Sequence, residues 1–331
     1  MIDIASITSK PVILPTSSRL TAGNRRDHIL TRLGVKRGEH RVQPGLYAFG
    51  NPTPDSQVFV TANYTLSFDA LRSSLGGMDG YILVLETKGI NVWCAAGKGT
   101  FGTEEIVRRV MITRLGEVVQ HRKLILPQLG APGVAAHEVK KRTGFWVEYG
   151  PVRAGDLPEY LKTHQATPEM RRVEFHLRDR LVLIPVDITQ TILPTLLAAA
   201  VLYFLGGWVS SLAALAAVFA GVVLFPILLP WLPTHNFSTK GFILGALVAL
   251  PFAASVFLRH LEWTWYRQLG QALEFILAMP AVTAFISLNF TGSSTFTSRS
   301  GVKREMFAYI PGMAWGFGIG VLLVIVFVII R

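Results

Sequence analysis

The segment Asn91-Val-Trp-Cys-Ala-Ala-Gly-Lys-Gly-Thr-Phe-Gly-Thr103 contains the only cysteine of the 331-residue chain, Cys94. Three glycines follow that cysteine, at positions 97, 99 and 102. Because glycine has no Cβ, the backbone there allows a large planar or anionic ligand to come close. The segment predicts a short helical turn that begins near Trp93. Cys94 would lie in its first turn, where unpaired N–H groups and the helix dipole favour a thiolate.

The familiar motifs for such a segment are absent. A phosphate-binding P-loop needs a glycine where Val92 stands and a hydroxyl residue where Gly99 stands. A phosphatase-type thiolate loop needs an arginine six residues after the cysteine, and that position is Thr100. A single cysteine also excludes a cysteine-cluster zinc site and an iron–sulfur cluster held by this sequence. The residue types alone leave open a buried, inert cysteine as the alternative.

The sequence around this segment alternates between strand and helix patterns. Strands are predicted at 58–62, 81–86, 123–126 and 145–147, and helices at 66–75, 103–114, 134–141 and 157–162. Thr103 is the predicted N-cap of its helix. This order predicts an α/β domain at residues 51–165, with a Rossmann-like parallel sheet covered on both faces. Ligands of such sheets bind beyond the carboxyl ends of the strands, where residues 61–63, 88–94 and 127–133 would meet.

The first 50 residues show no periodic pattern. They predict an N-terminal arm that is either ordered against the domain or a partly mobile lead-in. A linker is predicted at 166–187. The chain carries a net charge of +11, and the first 180 residues hold 25 Lys and Arg against 17 Asp and Glu. Nucleic acid, an anionic membrane surface or an acidic protein partner could each explain this basic excess.

The remaining residues predict an all-α transmembrane domain at 188–331. The chain is 50% hydrophobic and only 16% charged, which is too apolar for an ordinary soluble protein. Five apolar segments are long enough to cross a bilayer, at 188–205, 208–229, 241–258, 269–290 and 306–330. Arginines at 171, 172, 178 and 180 precede them and predict a cytoplasmic N-terminal domain in a multi-pass protein of the cytoplasmic (inner) membrane. An odd number of spans places the C-terminus on the opposite side, with Arg331 among the outer charges.

Two features of these segments invite interpretation. Glu274 is the one acid within a predicted span, and it indicates either an ion path or an interfacial carboxylate. Its place one to two turns from the outer end favours the interface. Gly312, Gly316 and Gly320 repeat every four residues and predict a helix-packing face.

The cysteine segment resembles a known signature. Asn91-Val-Trp-Cys-Ala-Ala-Gly-Lys98 is similar to the cap helix of the HgcA family, the membrane corrinoid proteins of microbial mercury methylation. Thr61-Ala-Asn-Tyr-Thr-Leu-Ser-Phe68 and Leu126-Pro-Gln-Leu-Gly-Ala-Pro-Gly133 resemble the same family. They also resemble the related corrinoid iron–sulfur protein of the acetyl-CoA pathway, where the cysteine position is not a cysteine. The resemblance extends from about residue 55 to the C-terminus.

The resemblance implies a cobalamin-type corrinoid in the α/β domain, with the Cys94 thiolate as the catalytic group and lower axial ligand of cobalt. The DxHxxG pattern of histidine-ligated cobalamin proteins is absent, which leaves Cys94 as the candidate ligand. Trp93 would pack on the corrin rim or in the core, and Asn91 and Lys98 would fix the cap helix or meet corrin amides. The implied cofactor-binding residues are Thr61, Ala62, Asn63, Asn91, Val92, Trp93, Cys94, Ala95, Ala96, Gly97, Lys98, Gly99, Thr100, Phe101, Gly102, Gln128, Gly130, Ala131, Pro132 and Gly133.

The activity implied by the resemblance is that of a methyltransferase that transfers methyl to inorganic Hg(II). A thiolate is a stronger donor than imidazole, so it favours a methyl group that leaves with its electrons toward a soft metal. One alternative is a corrinoid methyl carrier of one-carbon metabolism. Another is a membrane transporter or sensor with a cytosolic ligand-binding domain, although the scarcity of charge within the spans argues against a transporter.

The resemblance also implies partners. With one cysteine the chain does not reduce cobalt itself, so a small ferredoxin with two [4Fe-4S] clusters is the expected electron donor. A methyl-donor protein or a methyl-tetrahydrofolate system would supply the methyl group. Hg(II) would be the substrate, brought by the ferredoxin or as a small-thiol complex, and no nucleic acid is expected.

Overall fold

The computed structural model describes residues 10–294 and 299–329. The chain divides into two compact units. The first holds the described residues as far as Thr31 together with Val35–Val173, and the second holds Arg32–Gly34 and the described residues from Glu174 onward. Ile330, the predicted end of the last apolar segment, and Arg331 lie outside the described residues.

The first unit is built on a six-stranded sheet. Its strands are β1 (Ile13–Thr16), β2 (Gly45–Phe49), β3 (Val58–Ala62), β4 (Gly80–Leu85), β5 (Lys123–Leu126) and β6 (Trp146–Tyr149), in the order β1-β2-β4-β3-β5-β6. The strands β4, β3, β5 and β6 run parallel to one another, whereas β2 is antiparallel to β4 and parallel to β1. The α/β fold is confirmed. The four strands predicted within 51–165 are parallel, and the N-terminal arm adds two further strands, β1 and β2, of opposite direction.

Helices cover both faces of this sheet, as predicted. The first unit contains α1 (Ala22–Arg32), α2 (Thr65–Ser74), α3 (Val92–Lys98), α4 (Thr103–Ile112), α5 (Leu115–Val118), α6 (Ala136–Thr143), α7 (Leu157–Thr163) and α8 (Pro168–Arg171), with 3₁₀ turns at Gln128–Gly133 and Ala154–Asp156. Alternate residues of β3 enter different cores: Val58 and Val60 pack with α3 and α4, and Phe59 packs with α2 and α7. All five residues of β3 are buried, as expected for a strand with helices on both sides.

The described part of the N-terminal arm is tied to the domain by buried charges. His28 Nε2 lies 2.7 Å from Asp69 Oδ2, and Arg72 Nε lies 2.6 Å from Asp69 Oδ1. The Arg72 guanidinium also donates to the carbonyls of Ser17 and, at 2.9 Å, Arg19. Charged groups are buried at low cost only when they are paired in this way. Residues 10–31 and 35–50 are therefore an integral part of the sheet unit.

His40 holds the end of the arm in place. Its Nδ1 lies 2.7 Å from Asp27 Oδ1 and its Nε2 lies 2.5 Å from the Val35 carbonyl oxygen. Burial lowers the pKa of His40. The hydrogen bonds to Val35 and Asp27 and the nearby carboxylates of Asp27 and Glu39 outweigh burial, so the pKa is raised.

We expect His40 to make stability depend on pH. A raised folded-state pKa gives a contribution that is complete below the ordinary value of 6.5 and is lost as the pH rises through the folded-state pKa. His40→Gln, which is always neutral, should therefore lower the unfolding temperature more at pH 6 than at pH 8.5. Thermal unfolding of the detergent-solubilised chain measures this. The same loss at both pH values would show that the His40 imidazolium contributes nothing.

The second unit is helical and apolar. It contains α9 (Leu177–Leu181), α10 (Ile184–Phe219), a π-helical turn at Ala220–Leu224, α11 (Phe225–Leu228), α12 (Phe237–Arg259), α13 (Trp265–Asn289) and α14 (Arg299–Ile329). Four helical stretches in the described residues are long and apolar enough to cross a membrane: Leu177–Leu228, Phe237–Arg259, Trp265–Gly292 and Ser300–Ile329. The sequence predicted five segments, and the first two both fall within Leu177–Leu228.

The stretch Leu177–Leu228 is not a straight rod. Gly207 has φ 77° and ψ −175°, which is not helical. The Arg180 guanidinium donates to the carbonyls of Pro226 at 2.6 Å and Ile227 at 2.8 Å. A straight α-helix would separate those residues by about 70 Å at 1.5 Å per residue. The chain therefore reverses at Gly207, and the first two predicted segments are the two arms of one helical hairpin.

The glycines of α14 pack as predicted at two of three positions. A Cβ added at Gly320 would lie 2.8 Å from the Cβ of Ala278, and one at Gly316 would lie 3.3 Å from the Leu277 carbonyl oxygen. Gly312 has nothing within 4 Å. Small residues thus bring α14 close to α13.

Candidate functional site

The helix α3 holds Cys94 as its third residue, so the predicted short helix is confirmed. Asn91 is the N-cap, and its side-chain oxygen accepts a hydrogen bond from the Cys94 backbone N–H at 2.8 Å. The helix ends at Gly99, whose φ of 81° is the left-handed conformation that glycine adopts easily. The backbone on both sides of Cys94 is therefore held by local interactions that the sequence encodes.

Three loops meet where the central strands end. The loop before α3 follows β4, Asn63 follows β3, and the turn Gln128–Gly133 follows β5. These strands are parallel neighbours in the order β4-β3-β5. Their carboxyl ends lie at one edge of the sheet, which is where ligands of such sheets bind.

Asn63 organises the loop that leads to α3. Its side-chain oxygen accepts hydrogen bonds from the Thr87 N–H at 3.0 Å, the Thr87 hydroxyl at 2.9 Å and the Gly89 N–H at 3.0 Å. Its amide nitrogen donates to Glu86 Oε1 at 3.0 Å. Asn63 is fully buried, and Thr61 and Ala62 are buried as well. These three predicted binding residues lie beneath the loop and support it.

Three of the predicted glycines serve internal packing. A Cβ at Gly133 would overlap the Phe101 carbonyl oxygen, and one at Gly130 would lie 2.5 Å from Cε1 of the buried Phe101 ring. A Cβ at Gly102 would lie 3.0 Å from the Gly99 carbonyl oxygen. The end of α3 and the turn after β5 can approach each other only because these side chains are missing.

Gly97 is different. A Cβ added there would meet nothing within 4 Å, the residue is exposed, and its backbone is helical. Neither internal packing nor backbone conformation requires a glycine at this position. Gly97 therefore remains open for the close approach of a ligand, which is the role predicted for it.

The other predicted residues differ in exposure. Val92, Ala95 and Ala96 are buried in the core beneath α3. Trp93 and Cys94 are half-buried, and Lys98 is exposed. The half-buried residues of the neighbouring loops are Thr100, Gln128, Ala131 and Gly133, and Pro132 is exposed. The accessible face of α3 thus presents an aromatic ring, a thiol, an open glycine and a cation.

The electrostatics of Cys94 correct one expectation. Burial raises the pKa of the Cys94 thiol, and the opposing influence of Lys98, Asn91 and Arg37 does not outweigh burial. The prediction that the helix terminus favours a thiolate is therefore wrong for the protein alone. Coordination to a metal ion deprotonates a thiol outright.

Arg37 is a site residue that sequence reasoning missed. It is close enough to Cys94 to act on the pKa of the thiol. Its segment packs on the loop before α3: a Cβ at Gly89 would lie 3.6 Å from the Arg41 Cβ, and the Val42 N–H donates to the Asn63 carbonyl at 2.9 Å. No local pattern in the arm indicates this contact.

The start of α4 differs from its prediction. Gly102 is the N-cap, and Thr103 is the first helical residue. The Thr103 hydroxyl instead accepts a hydrogen bond from the Ala135 N–H at 2.8 Å. Thr103 was expected to stabilise its own helix, but it connects α4 to the chain that follows the Gln128–Gly133 turn.

Residues 10–161 match the family model described as CO dehydrogenase/acetyl-CoA synthase delta subunit. The acetyl-CoA decarbonylase/synthase complex subunit gamma of Archaeoglobus fulgidus is 35% identical over 124 residues, which are 37% of this chain and 26% of that protein. The subunit of the same name from Methanopyrus kandleri is 32% identical over 128 residues, 38% of this chain and 27% of that protein.

The corrinoid/iron-sulfur protein large subunit of Moorella thermoacetica is 26% identical over 129 residues, 38% of this chain and 28% of that protein. The chain thus spans just over a quarter of the length of the curated relatives it matches. The part of the chain that holds Cys94 is therefore related to the CO dehydrogenase/acetyl-CoA synthase delta subunit family and to proteins named as corrinoid/iron-sulfur subunits, in agreement with the relationship that the sequence motifs predicted.

Proposed function

We propose that the sheet unit binds a corrinoid and acts as a methyl carrier. The observation that carries this proposal is the half-buried Cys94 thiol, held in the first turn of α3 at the carboxyl edge of the sheet, with Gly97 open on the same helix. The relatives named as corrinoid/iron-sulfur subunits support it. When bound, a corrinoid supplies a cobalt centre that passes a methyl group from a donor to an acceptor.

The residues present fit such a group. A planar macrocycle needs a surface without projecting side chains, and a Cβ at Gly97 would point into open space. Cobalt needs a donor atom beneath it, and the sulfur of Cys94 is the soft donor on this helix. Trp93 offers an aromatic surface next to the thiol. Lys98 is an exposed cation one turn further along α3.

The contacts of these residues support a role for each of them in the proposed site. Asn91 fixes the backbone of Cys94 and so sets the position of the thiol before any ligand binds. Because burial raises the pKa of the Cys94 thiol, the sulfur would lose its proton on binding a metal. Lys98 and Arg37 act in the opposite direction, and they lower the cost of that deprotonation. Asn63 holds the loop that carries this assembly.

Two proposals differ in the acceptor of the methyl group. The relatives named as acetyl-CoA decarbonylase/synthase subunits support an acceptor in one-carbon metabolism. The cysteine itself supports Hg(II) as the acceptor. A thiolate is a strong electron donor, and as a ligand it would favour transfer of a methyl group with both bonding electrons to a soft electrophile. We propose Hg(II) on the strength of Cys94 alone.

We expect Cys94→Ala to remove sulfur ligation and to leave most of the corrinoid affinity in place, because the loops contribute more contact than one bond. The test uses the detergent-solubilised full chain reconstituted with cobalamin. The visible spectrum should shift, and X-ray absorption at the cobalt edge should lose its sulfur contribution. Met111→Ala is the control, because Met111 is exposed on α4 and is not among the predicted cofactor-binding residues. Unchanged spectra and unchanged sulfur coordination in Cys94→Ala would exclude Cys94 as the ligand.

A further inference from the structure

Glu274 lies inside the helical unit. It is the tenth residue of α13, and it is only 6% exposed. The sequence favoured an interfacial carboxylate at this position. Instead the side chain is enclosed by protein, which makes a carboxylate there costly unless it is paired.

No ion pair to Glu274 occurs among the described residues. Residues 208–219 of α10 and 306–329 of α14 contain no charged side chain. The cation of α12 nearest this end is Arg259, which stacks over the Trp208 ring at 4.6 Å, and Arg267 of α13 stacks over Trp263 at 4.2 Å. His260 stacks on the same Trp263 ring at 3.8 Å.

The charges at the start of α12 and of α14 belong to the opposite end of the unit. A Cβ at Gly241 would lie 2.6 Å from the Cα of Ala284, so Lys240 lies near the end of α13 remote from Glu274. Glu305 accepts a hydrogen bond from the Ser238 N–H at 2.6 Å and is therefore at that end too, with Lys303 and Arg304. The described residues therefore provide no counter-ion for Glu274.

Polar side chains of two helices stand near Glu274. Ser210 is 2% exposed and hydrogen-bonds the Glu274 carboxyl. The Ser210 hydroxyl has one proton, and the Gly206 carbonyl oxygen, 3.3 Å away, competes with the Glu274 carboxyl for it. Gln271 stands one turn before Glu274 on the same face of α13. Its side-chain oxygen is buried and has no hydrogen-bond partner among the described residues.

A carboxylate has only acceptor oxygens, whereas a carboxylic acid also has one O–H donor. A buried carboxyl that has no cation beside it among the described residues, and that shares one hydroxyl proton with a backbone carbonyl, is therefore favoured as the acid. We propose that Glu274, Ser210 and Gln271 form a proton-binding site within the helical unit, in which Glu274 carries the proton at neutral pH. Gly206 stands directly before the reversal at Gly207. The protonation state of Glu274 thus acts on the contact between the helical hairpin and α13. The proposal does not depend on the function of the sheet unit.

The test uses dicyclohexylcarbodiimide on the purified full chain in detergent. This apolar reagent adds across the O–H of a protonated carboxyl in an apolar site, and the adduct is located by peptide mass spectrometry. We expect an adduct at Glu274 at pH 7 that declines toward pH 9, and none in Glu274→Gln. Glu262, whose side chain is 68% exposed, is the internal control and should stay unlabelled. Protection of Glu274 by sodium or potassium ions at constant pH would overturn the proposal in favour of a cation site.

Thermal unfolding gives a second measurement that does not need the reagent to reach its target. Glutamine is a neutral mimic of the protonated acid. As the pH rises from 6 to 9, the unfolding temperature of the natural protein should fall relative to that of Glu274→Gln, by about 3 °C or more. Glu262→Gln should run parallel to the natural protein. Parallel curves for Glu274→Gln would overturn the proposal, because Glu274 would then bind no more protons in the folded chain than in the unfolded chain.

Discussion

Cys94→Ala is expected to abolish methylmercury formation in a deletion strain that receives the variant together with a competent ferredoxin partner. The proposed transfer to Hg(II) would depend on a strong electron donor to the metal from Cys94, and alanine supplies no donor. Loss of an outer partner of a metal site costs about 10- to 100-fold in affinity or activity. Loss of the ligand itself should cost more, so we expect at least a hundredfold decrease. The measurement is methylmercury formed from added Hg(II).

Two further variants, tested in the same deletion strain, make this result more specific. Cys94→His keeps a weaker donor and should lose nearly all of the activity. Met111→Ala, an exposed change on α4, should retain it and reports on expression. Methylation at the natural level in the Cys94→Ala strain would refute the mechanism. If the natural protein itself forms none with a competent partner, the acceptor belongs to one-carbon metabolism, as the relatives suggest.

Gly133→Ala is expected to lower the stability of the protein, whereas Gly97→Leu is expected to lower its corrinoid uptake. A Cβ at Gly133 overlaps the Phe101 carbonyl oxygen and lies 3.1 Å from the Ala96 Cα, so backbone must move. Overpacking of this kind costs about 1–3 kcal/mol, and the unfolding temperature of the sheet unit should drop. Gly97→Leu adds its side chain to open space. It should leave the unfolding temperature nearly unchanged and should reduce corrinoid uptake strongly, because the side chain occupies the proposed cofactor surface.

The two variants are informative together, because Gly133→Ala tests packing and Gly97→Leu tests access to the proposed cofactor surface. Gly97→Ala is the matched small change and should affect corrinoid uptake less than leucine does. Thermal unfolding and equilibrium titration with cobalamin provide the two measurements. Corrinoid uptake by Gly97→Leu at the natural level would place the cofactor elsewhere on the unit. A Gly133→Ala protein with natural stability would mean that the turn after β5 does not support α3.

The local features of the candidate site were predictable from the sequence because they depend on neighbours in the chain. Asn91 caps the helix that begins at Val92, and its acceptor is the N–H of Cys94, three residues away. The continuous apolar runs of β3 and β4 identify strands buried on both faces. The alternation of such strands with helices determines the layered sheet, and the length of the apolar segments determines the helices that could cross a membrane.

Tertiary contacts decided the rest, because those interactions join residues far apart in sequence. Arg37 reaches the site only through the fold of the arm, and Asn63 is recognised as a support beneath the loop only once its burial is known. The pKa of Cys94 depends on how much protein surrounds the thiol, which a helix position does not reveal. The burial of Glu274 is also decided by tertiary contacts. The sequence gives the position of this residue along α13, but the packing of α10 against α13 encloses its carboxyl.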